Sequence, residues 1–303
     1  MALVLACPAC RADLPPDPFG GEGAPTPRLF APGVVSTELR EYGLALTPDM
    51  SEAYFTRRDR RGPPEILVTH FVGGAWSEPQ PASFSYGRAE APSISRDGDR
   101  MVFASDRALP LSGDVSDNIW ESWRTGEGWS VPVPIAGDVN QPRWEDGEYD
   151  RGDESGPVLL PSGELLYWAG THPDWGNDIY VAQPDAHGAF VEPRPLRLNS
   201  NGDDSYPAVS PDGRHLVFQS YGRAGAIGEQ DLYVSERTAF GWTDPRPLPE
   251  PINSERSDGY ASFSPDGRFF FFASDRGKDG GYYSIYRVDV AALGLDGSSV
   301  RSP

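Results

Sequence analysis

The chain of 303 residues is short of cysteine, of basic residues and of long apolar runs. Its two cysteines, Cys7 and Cys10, stand at the extreme N-terminus, so no intrachain disulfide can hold the rest together. They have the spacing of one metal knuckle, but no second pair completes a four-ligand zinc site. His70, His172, His187 and His215 form no close pair at ligand spacing either. Lysine and arginine number 26 against 45 acidic residues, a formal net charge of −19. So acidic a chain repels phosphate backbones and anionic lipid, which excludes nucleic acid and membrane surfaces as expected partners. Cations, basic proteins and neutral saccharides remain. No stretch is long and apolar enough to span a bilayer, so no transmembrane segment is expected.

What the chain does have is glycine (34 residues), proline (31) and an aromatic content of 12%. That mixture suits many short strands joined by turns. One phrase recurs five times. Its clearest copies are Ser210-Pro211-Asp212-Gly213-Arg214, followed by Leu216-Val217-Phe218 and Asp231-Leu232-Tyr233, and Ser264-Pro265-Asp266-Gly267-Arg268, followed by Phe269 to Phe272, Ser274-Asp275-Arg276 and Ile285-Tyr286. Weaker copies begin at Thr47-Pro48-Asp49, Ser95-Arg96-Asp97-Gly98 and Leu160-Pro161-Ser162-Gly163. The anchors Pro48, Arg96, Pro161, Pro211 and Pro265 are 48, 65, 50 and 54 residues apart, which is the period of a repeat architecture. The long gap holds an acidic insertion, Asn140 to Asp153, with Trp144 and Tyr149.

Within one copy a short strand ends at a Pro-Asp-Gly turn, an apolar strand follows, and an alternating third strand comes after a loop of variable length. Trp76, Trp129, Phe190 and Trp242 then stand three residues before Pro79, Pro132, Pro193 and Pro245. Proline suits only an edge strand, so each copy reads as a four-stranded antiparallel blade with that aromatic packing blade to blade. The fifth copy stops after its third strand, Ser284 to Val290. At the other end Pro25-Thr26-Pro27-Arg28-Leu29 resembles Asp244-Pro245-Arg246-Pro247-Leu248, and Gly33-Val34-Val35-Ser36 resembles Pro251-Ile252-Asn253-Ser254. The N-terminal segment is therefore expected to supply the missing strand and leave no free sheet edge. The predicted fold is all-β, a single five-bladed β-propeller over residues 25–290, with six blades as the alternative and 291–303 as a tail. Residues 13–24 read as a flexible leader. Residues 1–12 read as a signal peptide with a truncated front end, since Val4-Leu5-Ala6-Cys7 is near a lipoprotein cleavage box and Cys10-Arg11-Ala12 is a passable cleavage site. The expected location is periplasmic or extracellular, with lipid anchoring through Cys7 as one form of it.

Ser-Pro-Asp-Gly-Arg, then Phe-x-Ser-Asp-Arg, then the Asp-Leu-Tyr and Ile-Tyr pairs resemble the repeat of the TolB-type propellers, relatives of the WD repeat. The resemblance runs from about Pro25 to Val290. It implies the propeller fold and leaves function open, since that family includes periplasmic TolB, propellers attached to serine peptidases and many exported proteins. The sequence holds no Gly-x-Ser-x-Gly elbow and no α/β-hydrolase segment, so the peptidase activity is not expected to carry over.

Aligning the copies gives candidate site residues. Seven residues before the anchor stand Glu41, Glu154, Asp204 and Asp258, with Glu90 one step late in the second copy. Eleven residues after it stand Arg107, His172 and Arg276, with Arg58 one step early and Arg223 one step late. A ring of carboxylates facing a ring of cations is expected at the axial mouth, with Trp144 and Tyr149 beside it. Acidic turn residues also serve as caps that need no ligand. No cofactor is demanded; calcium is the metal the hard oxygens of Asp114–Asn118 and Asn199–Asp204 would suit, and neither stretch has the fixed spacing of a calcium loop. The function expected is a monomeric binding or scaffold propeller for a protein or envelope component. The alternative is a carbohydrate-active enzyme, a glycoside hydrolase or lyase, with its carboxylates at the axial mouth and a saccharide as ligand.

Overall fold

The computed structural model describes residues 18–19, 25–110, 116–140, 144–145, 148–149, 153–172, 176–278 and 282–295; the side chains of 144, 145, 148, 149, 171 and 172 are outside that description. Five antiparallel sheets follow one another along the chain as the blades of a propeller. Blade 1 is built from Arg40–Leu46, Glu52–Arg58 and Pro64–Val72, blade 2 from Glu90–Ile94, Arg100–Ser105 and Asn118–Thr125, and blade 3 from Glu154–Leu159, Leu165–His172 and Gly176–Pro184. Blade 4 uses Asp203–Val209, His215–Tyr221 and Gln230–Thr238, and blade 5 uses Asp258–Phe263, Phe269–Ser274 and Ser284–Asp289. The outer strands are short and proline-bearing, as at Gln80–Pro81, Val133–Pro134, Phe190–Pro195 and Arg246–Pro247. Proline lacks the N–H that an inner position would require. Trp144–Glu145 pairs with Glu148–Tyr149 as a hairpin within the insertion.

The start of the chain completes blade 5. Arg28–Leu29 pairs antiparallel with the third strand of that blade, Arg28 opposite Arg287 and Leu29 opposite Tyr286. Arg246 and Pro247 hold the same places against Val234 and Tyr233 in blade 4, so Arg28 and Arg246 are equivalent. Ser36 then bonds the carbonyl of Ile285 at 2.8 Å, as the Asn253 amide bonds that of Leu232 at 3.0 Å. Ser36 thus matches Asn253, one residue away from the match suggested by sequence, because the register follows the backbone bond and not the shared serine. Further back, Phe19 packs on Phe269 with ring centroids 4.8 Å apart, and the Pro18 carbonyl accepts the Trp76 indole N–H at 2.9 Å.

The core lies between blades. Phe55, Phe103, Tyr167, Phe218 and Phe272 occupy one place in the five second strands, and all are fully buried. Burying each contributes about 1.5–3 kcal/mol. Trp129 of blade 2 donates to the Tyr54 hydroxyl of blade 1 at 2.9 Å, so the repeated tryptophan joins neighbouring blades. Each Pro-Asp-Gly turn is tied by its own side chains. In blade 4 the Ser210 hydroxyl and the Arg214 N–H both donate to Asp212, at 2.5 and 3.0 Å.

The innermost strands share one irregularity. Five residues before each anchor stand Gly43, Ala91, Gly156, Tyr206 and Tyr260, all at φ between 48° and 61°. Each marks a bulge in the pairing with the second strand. Glycine adopts this conformation freely. At Gly156 the close approach adds a second demand, since a Cβ would stand 2.8 Å from Trp168 Cδ1. Alanine and tyrosine hold it at a strain of about 1–3 kcal/mol each. The neighbouring blade fixes two of them, as the Ala91 N–H donates to Thr56 Oγ1 and the Tyr260 N–H to Gln219 Oε1, both at 3.0 Å.

Candidate functional site

Three of the repeated acids form one local device. Four residues ahead of each stands a serine or threonine whose backbone N–H and hydroxyl both donate to the carboxylate. Ser200 reaches Asp204 at 2.5 and 2.8 Å, Ser254 reaches Asp258 at 2.8 Å through both groups, and Thr37 caps Glu41 in the same way. An arginine closes each cap, Arg223 on Asp204 at 2.9 Å, Arg276 on Asp258 at 2.6 Å and Arg57 on Glu41 at 3.2 Å. All three carboxylates are fully buried, as is Glu154 at the same position of blade 3. Burial pushes the Glu41 and Asp258 carboxyls above their ordinary ranges, against the pull of their hydrogen bonds and cations.

The remaining sequence candidates are placed as follows. Arg58 is exposed, and Arg57, one residue earlier, is the cation on Glu41. Arg107 donates to the carbonyls of Phe84 and Tyr86 at 2.6 and 3.1 Å and lies under the Tyr86 ring at 3.8 Å. Its blade has Ala89 where the others carry an acid, so Arg107 lacks the carboxylate its counterparts hold, and burial lowers its pKa. The side chains of His172, Trp144 and Tyr149 lie outside the described residues.

Glu90 differs in kind from the other acids. It pairs with Ala104, the register position that Tyr42 takes opposite Thr56 in blade 1. One step along a strand turns a side chain to the opposite face. Glu90 accordingly meets the Tyr42 hydroxyl at 2.5 Å and Arg88 at 2.6 Å, and Arg88 also holds Asp117 at 2.7 Å. Burial raises the Glu90 carboxyl above the usual glutamate range. Tyr42, Tyr206 and Tyr260 meet at the axis, with centroids 4.5 Å apart for Tyr42–Tyr260 and 4.3 Å for Tyr206–Tyr260. Arg40 donates to the Tyr260 hydroxyl at 3.3 Å and sits against the rings of Tyr42 and Tyr283. It makes no ion pair among the described residues.

Arg40 and Arg88 belong to a position that sequence comparison passed over. Eight residues before the anchors stand Arg40, Arg88, Asp153, Asp203 and Ser257. This position therefore carries two cations, on blades 1 and 2, and two acids, on blades 3 and 4, at or just before the start of the innermost strands. The signal was present in the alignment as variation where its neighbours repeat. Asp203 accepts from Ser205 at 2.8 Å and Asn177 at 3.0 Å, and burial raises its pKa.

Beyond the tyrosines, toward the Pro-Asp-Gly turns, the channel opens into a cavity of about 200 Å³ lined by all five innermost strands. The acid ring does not line it. Among the described residues no three His, Cys, Asp or Glu side chains gather as metal ligands. Within the oxygen-dense stretch 199–204, Asn199 bonds the backbone of Ile179 and Ser200 caps Asp204. No helix among the described residues is long and apolar enough to cross a membrane.

No family model and no curated protein sequence matches the chain. Solved structures of similar shape include TolB from Acinetobacter baumannii, at 16% identity and a TM-score of 0.48, covering 82% of this chain and 54% of that one. A thermostable family-43 glycoside hydrolase matches at 12% identity and a TM-score of 0.53, over 84% of this chain and 91% of that one. BT0996, solved as an RGII complex, matches at 10% identity and a TM-score of 0.57, over 84% and 88%. At such identities the last two likenesses establish the fold alone: the chain is a β-propeller.

Proposed function

We propose that this chain is an exported, TolB-like binding propeller that engages a protein or another envelope component at its axial mouth. The observation that carries this reading is the division of labour among the charged groups. Three of the four acids that repeat from blade to blade, Glu41, Asp204 and Asp258, are buried, capped and closed by an arginine, which is a structural duty. The charges that differ between blades occupy one repeat position, Arg40 and Asp203 as the first residues of their innermost strands and Arg88 and Asp153 just before theirs. Repetition suits architecture, and variation suits recognition of one partner.

A glycosidase needs two carboxylates in different environments, one acid and one base, about 5–10 Å apart with room for substrate. Glu90 has the environment of a buried acid, yet Tyr42 and Arg88 occupy its oxygens, which favours the binding reading. The test couples capture to turnover. The parent protein is used to recover partners from envelope extract, and the recovered partner is then offered to an Arg40→Glu, Asp203→Lys double variant. Binding lost in the variant with the fold intact supports the reading. Turnover of aryl glycosides or polysaccharides by the parent, abolished in Glu90→Gln, overturns it in favour of the enzyme.

A further inference from the structure

We propose that the blade 1 side of the mouth is an arginine receptor for carboxylates, and that the protein partner engaged there presents a short acidic segment to it. The proposal rests on the mouth reading above and names the chemistry of one half of that site.

The sequence is the first ground. Arg57-Arg58-Asp59-Arg60-Arg61 puts four of the 26 basic residues into five consecutive positions of a chain with a net charge of −19. The run lies where the second strand of blade 1, Glu52–Arg58, gives way to the loop before Pro64–Val72. No other blade carries such a run at that place. Arg57 closes the Glu41 cap, while Arg58, Arg60 and Arg61 are exposed.

Pairing is the second ground. Arg40 stands directly opposite Arg58 in the register of the first two strands. Side chains so placed have Cβ atoms about 4.5–5.5 Å apart, and like charges there are destabilising. Both guanidiniums stay charged, so neither relieves the repulsion by losing a proton. Among the described residues none of Arg40, Arg58, Arg60 and Arg61 makes an ion pair. Acids outnumber basic residues 45 to 26, and arginines elsewhere find them, as Arg100 finds Glu121 and Arg237 finds Glu164. The acids nearest in sequence are placed otherwise. Asp59 accepts the Arg60 backbone N–H at 2.6 Å, and Glu65 stands opposite Arg57. A carboxylate from outside the chain, set between Arg40 and Arg58, turns a repulsive pair into a bridged one.

Orientation is the third ground. Arg60 sits over the ring of Tyr282 at 5.6 Å and Arg40 over that of Tyr283 at 4.9 Å, so two consecutive tyrosines of blade 5 position two of the cations. The Tyr260 hydroxyl holds Arg40 from the axis at 3.3 Å. A guanidinium held against a ring keeps its planar N–H edge for a planar acceptor, and a carboxylate matches that edge with two parallel bonds. A long polyanion fits poorly. Asp153 and Asp203 take the place of Arg40 in blades 3 and 4, and the whole chain repels negative charge. Two or three carboxylates on a peptide reach the arginines without meeting those acids.

Fluorescence anisotropy of rhodamine-labelled hexaglutamate, titrated with the full chain at about 50 and about 150 mM salt, tests the receptor. Hexaglutamate is expected to bind, more weakly at the higher salt, and hexaglutamine not to bind. The Arg58→Glu, Arg60→Glu double variant changes two exposed positions and is expected to weaken binding by about tenfold or more. Arg40→Gln is expected to weaken it several-fold. No binding of hexaglutamate, or equal binding in the double variant, overturns the proposal. Displacement of the peptide by phosphate and not by citrate, at equal concentration, overturns it in favour of a phosphate ligand. An envelope partner lost in Arg40→Glu, Asp203→Lys but kept in Arg58→Glu, Arg60→Glu also overturns it, and leaves the mouth reading standing.

Discussion

Blades 4 and 5 differ from blade 2 in one small respect with large consequences. In the former, an acid seven residues before the anchor is capped by a serine and closed by an arginine. In blade 2 that place is Ala89, the arginine remains as Arg107, and an acid appears one residue later as Glu90. Because side chains alternate along a strand, the single step moves the carboxylate from the cap to the axis. The same repeat therefore carries structure in two blades and a private arrangement in a third. Where a repeat is kept, its residues are explained by the fold. Where it is broken, the fold has stopped needing them and another demand is visible.

The strongest way to break the equivalence of the blades is to remove the strand that completes the fifth. Deleting residues 13–36 takes away Arg28–Leu29, the Phe19 contact and the Ser36 bond. The deleted protein is expected to lose cooperative melting, as followed by circular dichroism; a melt like the parent's refutes the closure. Next in size is Asp258→Ala, which strips the cap and leaves Arg276 without its carboxylate. A loss of about 2–4 kcal/mol in urea unfolding is expected, and Asp204→Ala should behave alike. The reverse change sharpens the comparison. Ala89→Asp returns an acid to blade 2 beside Arg107, and a gain of about 1 kcal/mol is expected; a loss instead would mean that Arg107 is not the counterpart of Arg276.

A smaller effect is read in pH. Burial raises the Glu90 carboxyl, so the folded chain holds this proton more tightly than the unfolded chain. Its contribution to stability therefore falls as pH rises from the unfolded value, about 4.3, through the folded one. Asp97 has the opposite sign: the Ser95 hydroxyl lowers its pKa, and its contribution is lost as pH falls through the folded value. Glu90→Gln is expected to flatten the decline above pH 4 and leave the acid limb unchanged. A profile superimposable on the parent's would contradict this.

Much of this was legible in the sequence. The Ser-Pro-Asp-Gly anchors gave the turns, the tryptophans gave the blade contacts, and the unfinished fifth copy gave the closure. The acid positions aligned correctly, yet alignment alone could not say which face each occupied. Glu90 stood visibly one step off, and the fold makes that step the whole difference; Arg57 and Arg58 divide in the same way. The five-fold bulge left no signature, because glycine, alanine and tyrosine share no side-chain property at that place. The cavity depends on how five strands converge, which no single segment encodes.

The central claim is that the repeated acids hold the fold while the irregular charges at the mouth do not. Urea unfolding of Asp204→Ala beside Arg40→Gln tests it most directly. The account predicts a loss of about 2–4 kcal/mol for the first and a change within about 1 kcal/mol for the second, whose guanidinium meets rings and a hydroxyl but no carboxylate among the described residues. Equal losses in both, or a larger loss at Arg40, would contradict it.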